Sequence, residues 1–590
     1  MSAMKAESSD KKHLKKQDKF KIIQGEYIMK VIIVGGVAGG ATAAARLRRL
    51  DEKAEIIIFE KSGYVSYANC GLPYYVGGVI GDFDELTLQS PEGFFSRYRI
   101  DVRVRHEVVK IDTAAKTVDV RNLDTGKTFT ESYDKLLLSP GARPVNPGIE
   151  GADCKRVFTL RTVEDTVRIK AFADAHKPAR AMVIGGGFIG LETAENLSRL
   201  NIDTTVVEFA DHILGPFDRD MASLLHAEMR RGGVKIMLKT AVSSISEKGD
   251  ALLIETRDGG KFETDMVVLA AGVAPDTGLA AAAGIKTGIK GSIVVNKKME
   301  TSAPDVYAVG DAVEVENLAL GTRALISLAG PANKQGRIAA DNIAGGNSEY
   351  DGSFGTSVIK VFSLTAASVG ANEAQLKAAG KDYEKVVLSP LNHAGYYPGG
   401  KVMTMKVLFD KSTLKIYGAQ IAGSEGVDKR IDVIATAMRA GLSAVDLKDL
   451  ELAYAPPYSS AKDPVNVAGF MIENVVTGKV KQFHYEDVAS LPSTVFKLDA
   501  RTPYEYARGH AEGFVNIPLD EIRERLDEID KNKPVYVMCQ SGLRSYLACR
   551  ILAQNGFDCY NFSGGYRFYD IVSRDVLPAA SAYPCGKDKN

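Results

Sequence analysis

Neither sign of charge is in surplus in this chain. Lysine plus arginine and aspartate plus glutamate both total 74, so no global field draws it to nucleic acid or to an anionic membrane, and small molecules are the expected ligands. Long apolar runs are missing too: none reaches the roughly 18 residues of a membrane span, and no apolar signal core follows the first lysines, so a cytoplasmic protein is expected. Cysteine is scarce and scattered. The six (Cys70, Cys154, Cys539, Cys549, Cys559 and Cys585) form no CxxC pair and no His/Cys metal spacing, which argues against a structural metal and a disulfide framework and for reduced thiols. One absence is local. Cys70, in Ser66-Tyr67-Ala68-Asn69-Cys70-Gly71-Leu72-Pro73-Tyr74, has no second cysteine a helical turn further on. An enzyme that closes an internal disulfide needs one, so the partner sulfur of Cys70 must come from elsewhere.

What is present is an α/β grammar, repeated over 590 residues, enough for about three or four domains. Residues 1–28 are polar and lysine-rich, a solvated extension with no assigned function. From Met29 an apolar strand (Lys30 to Val34), a glycine turn, an alanine-rich helix and a second strand ending at Glu60 make a βαβ opening. The same order recurs from Ala181 to Glu208. A stretch from 351 to about 475 joins strands (Val402 to Phe409, Ile416 to Ile421) to a helix near Asp428 to Ala440. Past 480, strands at Val495 to Leu498 and Val535 to Met538 and helices near Leu519 to Ile529 and Ser545 to Gln554 predict a small parallel α/β domain.

The second glycine loop is regular: Gly185, Gly187 and Gly190 satisfy GxGxxG between a strand and a helix, and Glu208 stands at the distance expected of a ribose ligand, where its charge repels a 2′-phosphate. This predicts NADH in preference to NADPH. The first loop, Gly35-Gly36-Val37-Ala38-Gly39-Gly40, has valine at the usual middle glycine, and only its context, with Glu60 closing the next strand, supports a nucleotide. Far downstream, Thr301-Ser302-Ala303-Pro304-Asp305-Val306-Tyr307-Ala308-Val309-Gly310-Asp311-Ala312 resembles the flavin-binding signature of the two-dinucleotide-domain flavoprotein reductases. The resemblance implies FAD, with Asp311 on its ribityl chain and Gly35, Gly40 and Glu60 in its first cradle.

Within that superfamily the Cys70 segment is similar to coenzyme A disulfide reductases, whose single cysteine alternates between thiolate and a mixed disulfide with coenzyme A. A helix opening at Gly71-Leu72-Pro73 predicts a lowered thiol pKa. Arg46, Arg48 and Arg49 offer cations for coenzyme A phosphates, and the resemblance places Thr42, Arg46, Arg49, Ser66 and Asn69 at the coenzyme A site. It also implies a homodimer in which Tyr396 and Tyr454 reach the substrate sulfur across the interface; a phenol there can protonate or hydrogen-bond a thiolate.

In the last domain, Cys539-Gln540-Ser541-Gly542-Leu543-Arg544-Ser545 links a strand to a helix, an anion cradle of backbone N–H groups. Four residues separate Cys539 from Arg544, where cysteine phosphatases have five; the loop, with Asp499-Ala500-Arg501 and His510 to Pro518, resembles rhodanese sulfurtransferases. Cys539 and Arg544 are the expected catalytic residues there. The expected architecture is α/β: a leader (1–28), an FAD-binding domain in two parts (29–150 and 276–350) around an NAD-binding domain (151–275), both Rossmann-like, an α/β dimerisation domain (351–478) and a rhodanese domain (485–585). The expected activity is NADH-driven reduction of coenzyme A persulfide, polysulfide or coenzyme A disulfide. Two rivals stand beside it: an NADH oxidase or peroxidase cycling through a cysteine sulfenic acid, disfavoured because relatives of that kind carry histidine where this chain has Ala38, and a redox-responsive binding protein whose rhodanese domain only docks.

Overall fold

The computed structural model describes residues 28–576; the lysine-rich leader up to residue 27 and Cys585 lie outside the described residues. Four principal sheets organise the chain. The first is parallel, in the order Val306–Ala308, Lys135–Leu138, Lys30–Val34, Glu55–Glu60 and Asp101–Val104. Its central strands are buried on both faces, which is why Val31-Ile32-Ile33 and Ile56-Ile57-Ile58 are continuous apolar runs without alternation. The second, also parallel, runs Lys235–Met237, Asp203–Val207, Arg180–Ile184, Met266–Leu269 and Val157–Phe158. In each, the glycine turn follows the carboxyl end of the central strand, where doubly wound sheets take their ligands.

The third sheet is antiparallel, Ser357–Val361, Leu364–Gly370, Ile416–Gly423, Met403–Phe409 and Glu384–Leu388, with the helices Val427–Ala440 and Pro464–Val476 packed on it. The fourth, parallel, runs Lys481–Phe483, Cys559–Phe562, Val535–Met538, Phe496–Asp499 and Val515–Asn516. The helix expected at Leu519 to Ile529 is instead two 3-10 turns, Leu519–Glu521 and Leu526–Glu528. Its apolar spacing suits a helix, but Asp520, Glu524 and Glu528 fall four apart and would repel along one face.

The units are fastened by specific contacts. Lys406, fully buried in the third sheet, lies 3.0 Å from Asp218 and 2.9 Å from Asp220 of the second unit and also pairs with Glu373. These three carboxylates resemble a cation site, and the cation is the lysine. The fourth unit meets the third where Val387 N donates to Ser563 Oγ at 2.8 Å and Ser389 Oγ to Gly564 O at 3.2 Å. It meets the second where Phe568 and Val572 of the helix Gly565–Val576 share an apolar cluster with Leu225 and Met229 of the helix Arg219–Arg231.

Candidate active site

Both glycine turns are built alike. A Cβ on Gly40 would lie 1.9 Å from Gly35 O, and one on Gly190 2.0 Å from Gly185 O, so each helix touches its own turn where no side chain fits. Gly36 N donates to Glu60 Oε2 at 2.8 Å and Ser62 N to Oε1 at 2.9 Å; burial, the largest influence, pushes that carboxyl up. In the second turn Gly186 N donates to Glu208 Oε2 at 2.6 Å and Ala210 N to Oε1 at 2.8 Å. Glu208, Gly185 and Gly187 line a cleft of about 530 Å³, together with Phe209 and Arg257. Gly187 has open space above it, the position at which a pyrophosphate would lie against bare backbone. Both cradles therefore fit a dinucleotide.

Cys70 lies in the 3-10 turn Asn69–Gly71, ahead of the helix Leu72–Val76. The expectation of a lowered thiol pKa is overturned: burial first, then the carboxylates of Glu192 and Asp311, push the thiol up, and only Arg161 opposes them. A five-residue helix has too few aligned peptides to offset that. Arg161, absent from every motif, ties the site together. It donates through Nη2 to Asp311 Oδ2 at 3.0 Å. In the amide orientation that its partners require, Asn69 accepts from Arg161 Nη1 at 2.6 Å and donates to Arg161 O at 3.0 Å. One guanidinium thus spans the cysteine turn and the Gly310–Ala312 turn that presents Asp311. Tyr74 donates to Glu192 Oε1 at 3.0 Å, and burial above all raises the Glu192 carboxyl to about 7. Ser66, in the left-handed region at φ 48°, donates its N–H to Gly36 O at 2.8 Å and so joins the cysteine segment to the first turn.

On the helix Ala38–Leu50, Thr42 donates to Asn333 Oδ1 at 2.5 Å and Arg46 pairs with Asp341 at 2.7 Å, both toward the helix Ala329–Ile343. Arg49 is exposed. Arg48 is not a ligand candidate: it is buried and donates to the carbonyls of Tyr98, Asp51, Glu52, Ala54 and Arg99, which pins the following loop. Tyr396 and Tyr454 meet through their hydroxyls at 2.5 Å, both exposed, and Tyr454 borders a cavity of about 470 Å³ with Lys429 and Tyr458. Among the described residues no hydrogen bond joins either phenol to Cys70.

Cys539 is fully buried, and its Sγ accepts from Gly542 N and from Ser545 Oγ, each at 3.2 Å. The helix Leu543–Gln554 begins beside it. Arg544 forms a fork with Glu505, both bonds 2.7 Å, and this pairing, the largest influence, holds the Glu505 carboxyl down at about 2. The buried Arg501 pairs with Asp499 at 2.7 Å and lies 3.9 Å from the centre of the Tyr566 ring.

Residues 29–336 match the pyridine nucleotide-disulphide oxidoreductase family, 356–464 its dimerisation domain and 487–569 the rhodanese-like domain. The chain belongs to the pyridine nucleotide-disulphide oxidoreductase family. Coenzyme A disulfide reductase of Staphylococcus aureus (strain JH9) is 39% identical over 443 residues, 75% of this chain and 99% of that protein. The crystal structure of reduced Bacillus anthracis CoADR-RHD is 46% identical with a TM-score of 0.91, covering 93% of this chain and 99% of its own. A NAD-dependent persulfide reductase from A. fulgidus is 38% identical with a TM-score of 0.87, covering 92% of this chain and all of its own, 100%. The last two likenesses run through both the reductase and the rhodanese-like regions of this family member.

Proposed function

We propose that the protein is an NADH-dependent flavoprotein reductase of coenzyme A persulfide, polysulfide or coenzyme A disulfide, coupled to a rhodanese sulfurtransferase, acting as a homodimer in the cytoplasm. The observation that carries this is Cys70, without a neighbouring cysteine, on a turn that Arg161 fastens to Asp311. Gly35, Gly40, Glu60 and Asp311 would hold FAD, and Gly185, Gly187, Gly190 and Glu208 the nicotinamide nucleotide. FAD, when bound, supplies two-electron transfer between NADH and sulfur. Cys70 as thiolate attacks the coenzyme A sulfur of the persulfide; a Cys70–coenzyme A disulfide forms and hydrosulfide leaves. Two electrons and one proton then return the Cys70 thiolate and coenzyme A thiol. Thr42, Arg46, Arg49, Ser66 and Asn69 would bind coenzyme A, and Tyr396 and Tyr454 of the second subunit would supply the proton. Glu208 favours NADH, because its carboxylate would meet the 2′-phosphate of NADPH.

At the second centre Cys539 carries sulfane sulfur, stabilised as an anion by the Gly542 N–H and the Ser545 hydroxyl, with Arg544 at the rim. Anaerobic NADH oxidation with each sulfur substrate tests the division. Cys70→Ser should lose all turnover, whereas Cys539→Ser should keep reduction of preformed coenzyme A persulfide and lose sulfur transfer. Equal loss in both variants on that substrate would sink it. NADH consumption that stops at one equivalent per enzyme, whichever substrate is offered, would favour a sensor.

A further inference from the structure

The cleft at the second glycine turn has one wall made by an irregular loop, in which Phe209, Ala210, His212, Leu214 and Gly215 face the space. With no strand or helix of its own, the loop is placed by a few bonds. Leu214 N donates to Gly186 O at 2.8 Å, and Asn372 Nδ2 to Gly215 O at 3.0 Å. Another is made by Ile213 N, which donates to His226 Nε2 at 3.1 Å. A donor at Nε2 makes that nitrogen the acceptor, so the ring proton resides on Nδ1, which donates to Asp575 Oδ2 at 2.7 Å. Asp575 belongs to the helix Gly565–Val576 of the fourth unit, 349 positions away. Ser223 Oγ at 3.1 Å, Arg230 at 2.6 Å and Arg219 also donate to it.

His226 has no exposed surface and the Asp575 side chain almost none. Burial, foremost, lowers the imidazole, so it stays neutral. Burial pushes the Asp575 carboxyl up, but the His226 bond and the Arg230 and Arg219 guanidiniums outweigh it and hold the carboxyl below its ordinary range. The chain of bonds therefore has a fixed polarity, from a permanent carboxylate through an oriented imidazole to one loop amide.

We infer that Asp575, acting through His226, is a positioning residue for nicotinamide-nucleotide binding: the last described helix of the rhodanese domain sets the loop that walls the cleft. Sequence gives no hint of this, because the three residues share no motif. The inference rests on reading that cleft as the nicotinamide-nucleotide site. Other bonds also hold the loop, among them Ala210 N to Glu208 Oε1 and Lys239 N to Ala210 O, each at 2.8 Å, so the expected effect is a weakening and not a loss of binding.

Calorimetric titration of the FAD-loaded protein with NAD⁺ tests it, with amide exchange of the peptide containing Ile213 as a second readout. Asp575→Ala should weaken NAD⁺ about fivefold, the order of one lost buried hydrogen bond, and speed exchange at Ile213. His226→Asn keeps a polar group at the δ position for Asp575 but none at ε for Ile213, and should weaken NAD⁺ equally. His226→Gln offers an ε oxygen to Ile213 and should recover part of the affinity. Flavin absorbance and sulfurtransferase turnover report whether each variant retains both folds, and His226→Asn carries the test if Asp575→Ala does not fold. Wild-type NAD⁺ affinity in Asp575→Ala and His226→Asn would overturn the inference, as would equal loss in all three variants. Absence of NAD⁺ binding by the unaltered protein would instead overturn the reading of the cleft.

Discussion

Two carboxylates, Glu192 and Asp311, stand near enough to Cys70 to oppose its ionisation, and one guanidinium, Arg161, favours it. The thiolate that the chemistry needs is therefore restrained by the protein. Replacing Glu192 by glutamine removes one opposing charge, so Cys70 should alkylate severalfold faster with iodoacetamide at pH 8; an unchanged rate would remove Glu192 from the site's electrostatics. The coupling also has a pH signature. Glu192 titrates at about 7, so as pH falls through that value it becomes neutral and stops opposing the thiolate. The Cys70 titration should accordingly be broadened in the natural protein and narrow to a single ionisation in Glu192→Gln. Arg161→Lys keeps a positive charge but not the fork that reaches both Asn69 and Asp311, and should slow sulfur reduction while leaving flavin content intact. Cys70 and its missing partner were evident from the chain alone. Arg161 and Glu192 were not, because they reach the thiol from 91 and 122 positions away in pairings that no spacing rule encodes.

Among the elements, the two glycine-turn helices invite a paired comparison. Gly40→Ala and Gly190→Ala push a methyl group against the carbonyl of Gly35 or Gly185, and each helix must retreat from its own strand. Gly40→Ala should lower the FAD retained on purification while NAD⁺ still binds; Gly190→Ala should keep its flavin and raise the KM for NADH about tenfold. Absorbance spectra and steady-state kinetics separate the two. These helices were legible because a buried parallel strand, a glycine turn and an acidic strand end are all local signals. The cysteine cradle at 539–545 was legible for the same reason. The segment from Leu519 to Ile529 misled because apolar period alone indicates a helix, while Asp520, Glu524 and Glu528 would repel along one face of it, and the segment forms two short turns instead. Arg48 misled differently: an arginine beside a ligand face looks like a ligand until its loop carbonyls are seen.

Across the whole molecule, Lys406 and its three carboxylates join the second and third units. Lys406→Met leaves those carboxylates buried without their cation and should cost about 3–5 kcal/mol, seen as a lower thermal midpoint. Burial pushes the Glu373 carboxyl up, but Lys406 and Lys385 outweigh it and hold it far below its ordinary 4.5. A carboxyl lowered in the folded state adds stability above its unfolded pKa and loses it as pH falls. Thermal midpoints should therefore drop as the solution is acidified below about pH 5, and less steeply in Lys406→Met, where Glu373 has lost its main partner. The first sheet has a consequence in time. Its strand Lys30–Val34 is synthesised before its other strands, but the edge strand Val306–Ala308 follows only some 270 residues later, after every strand of the second sheet. At about 5–20 residues per second the nascent chain waits on the order of 10–50 s with its first sheet open and its second complete. Ribosome-arrested chains ending near residue 330 should then protect residues 180–269 from protease before they protect residues 30–138, so a chaperone that guards this protein during translation would find its binding surface on the first sheet, within residues 30–138.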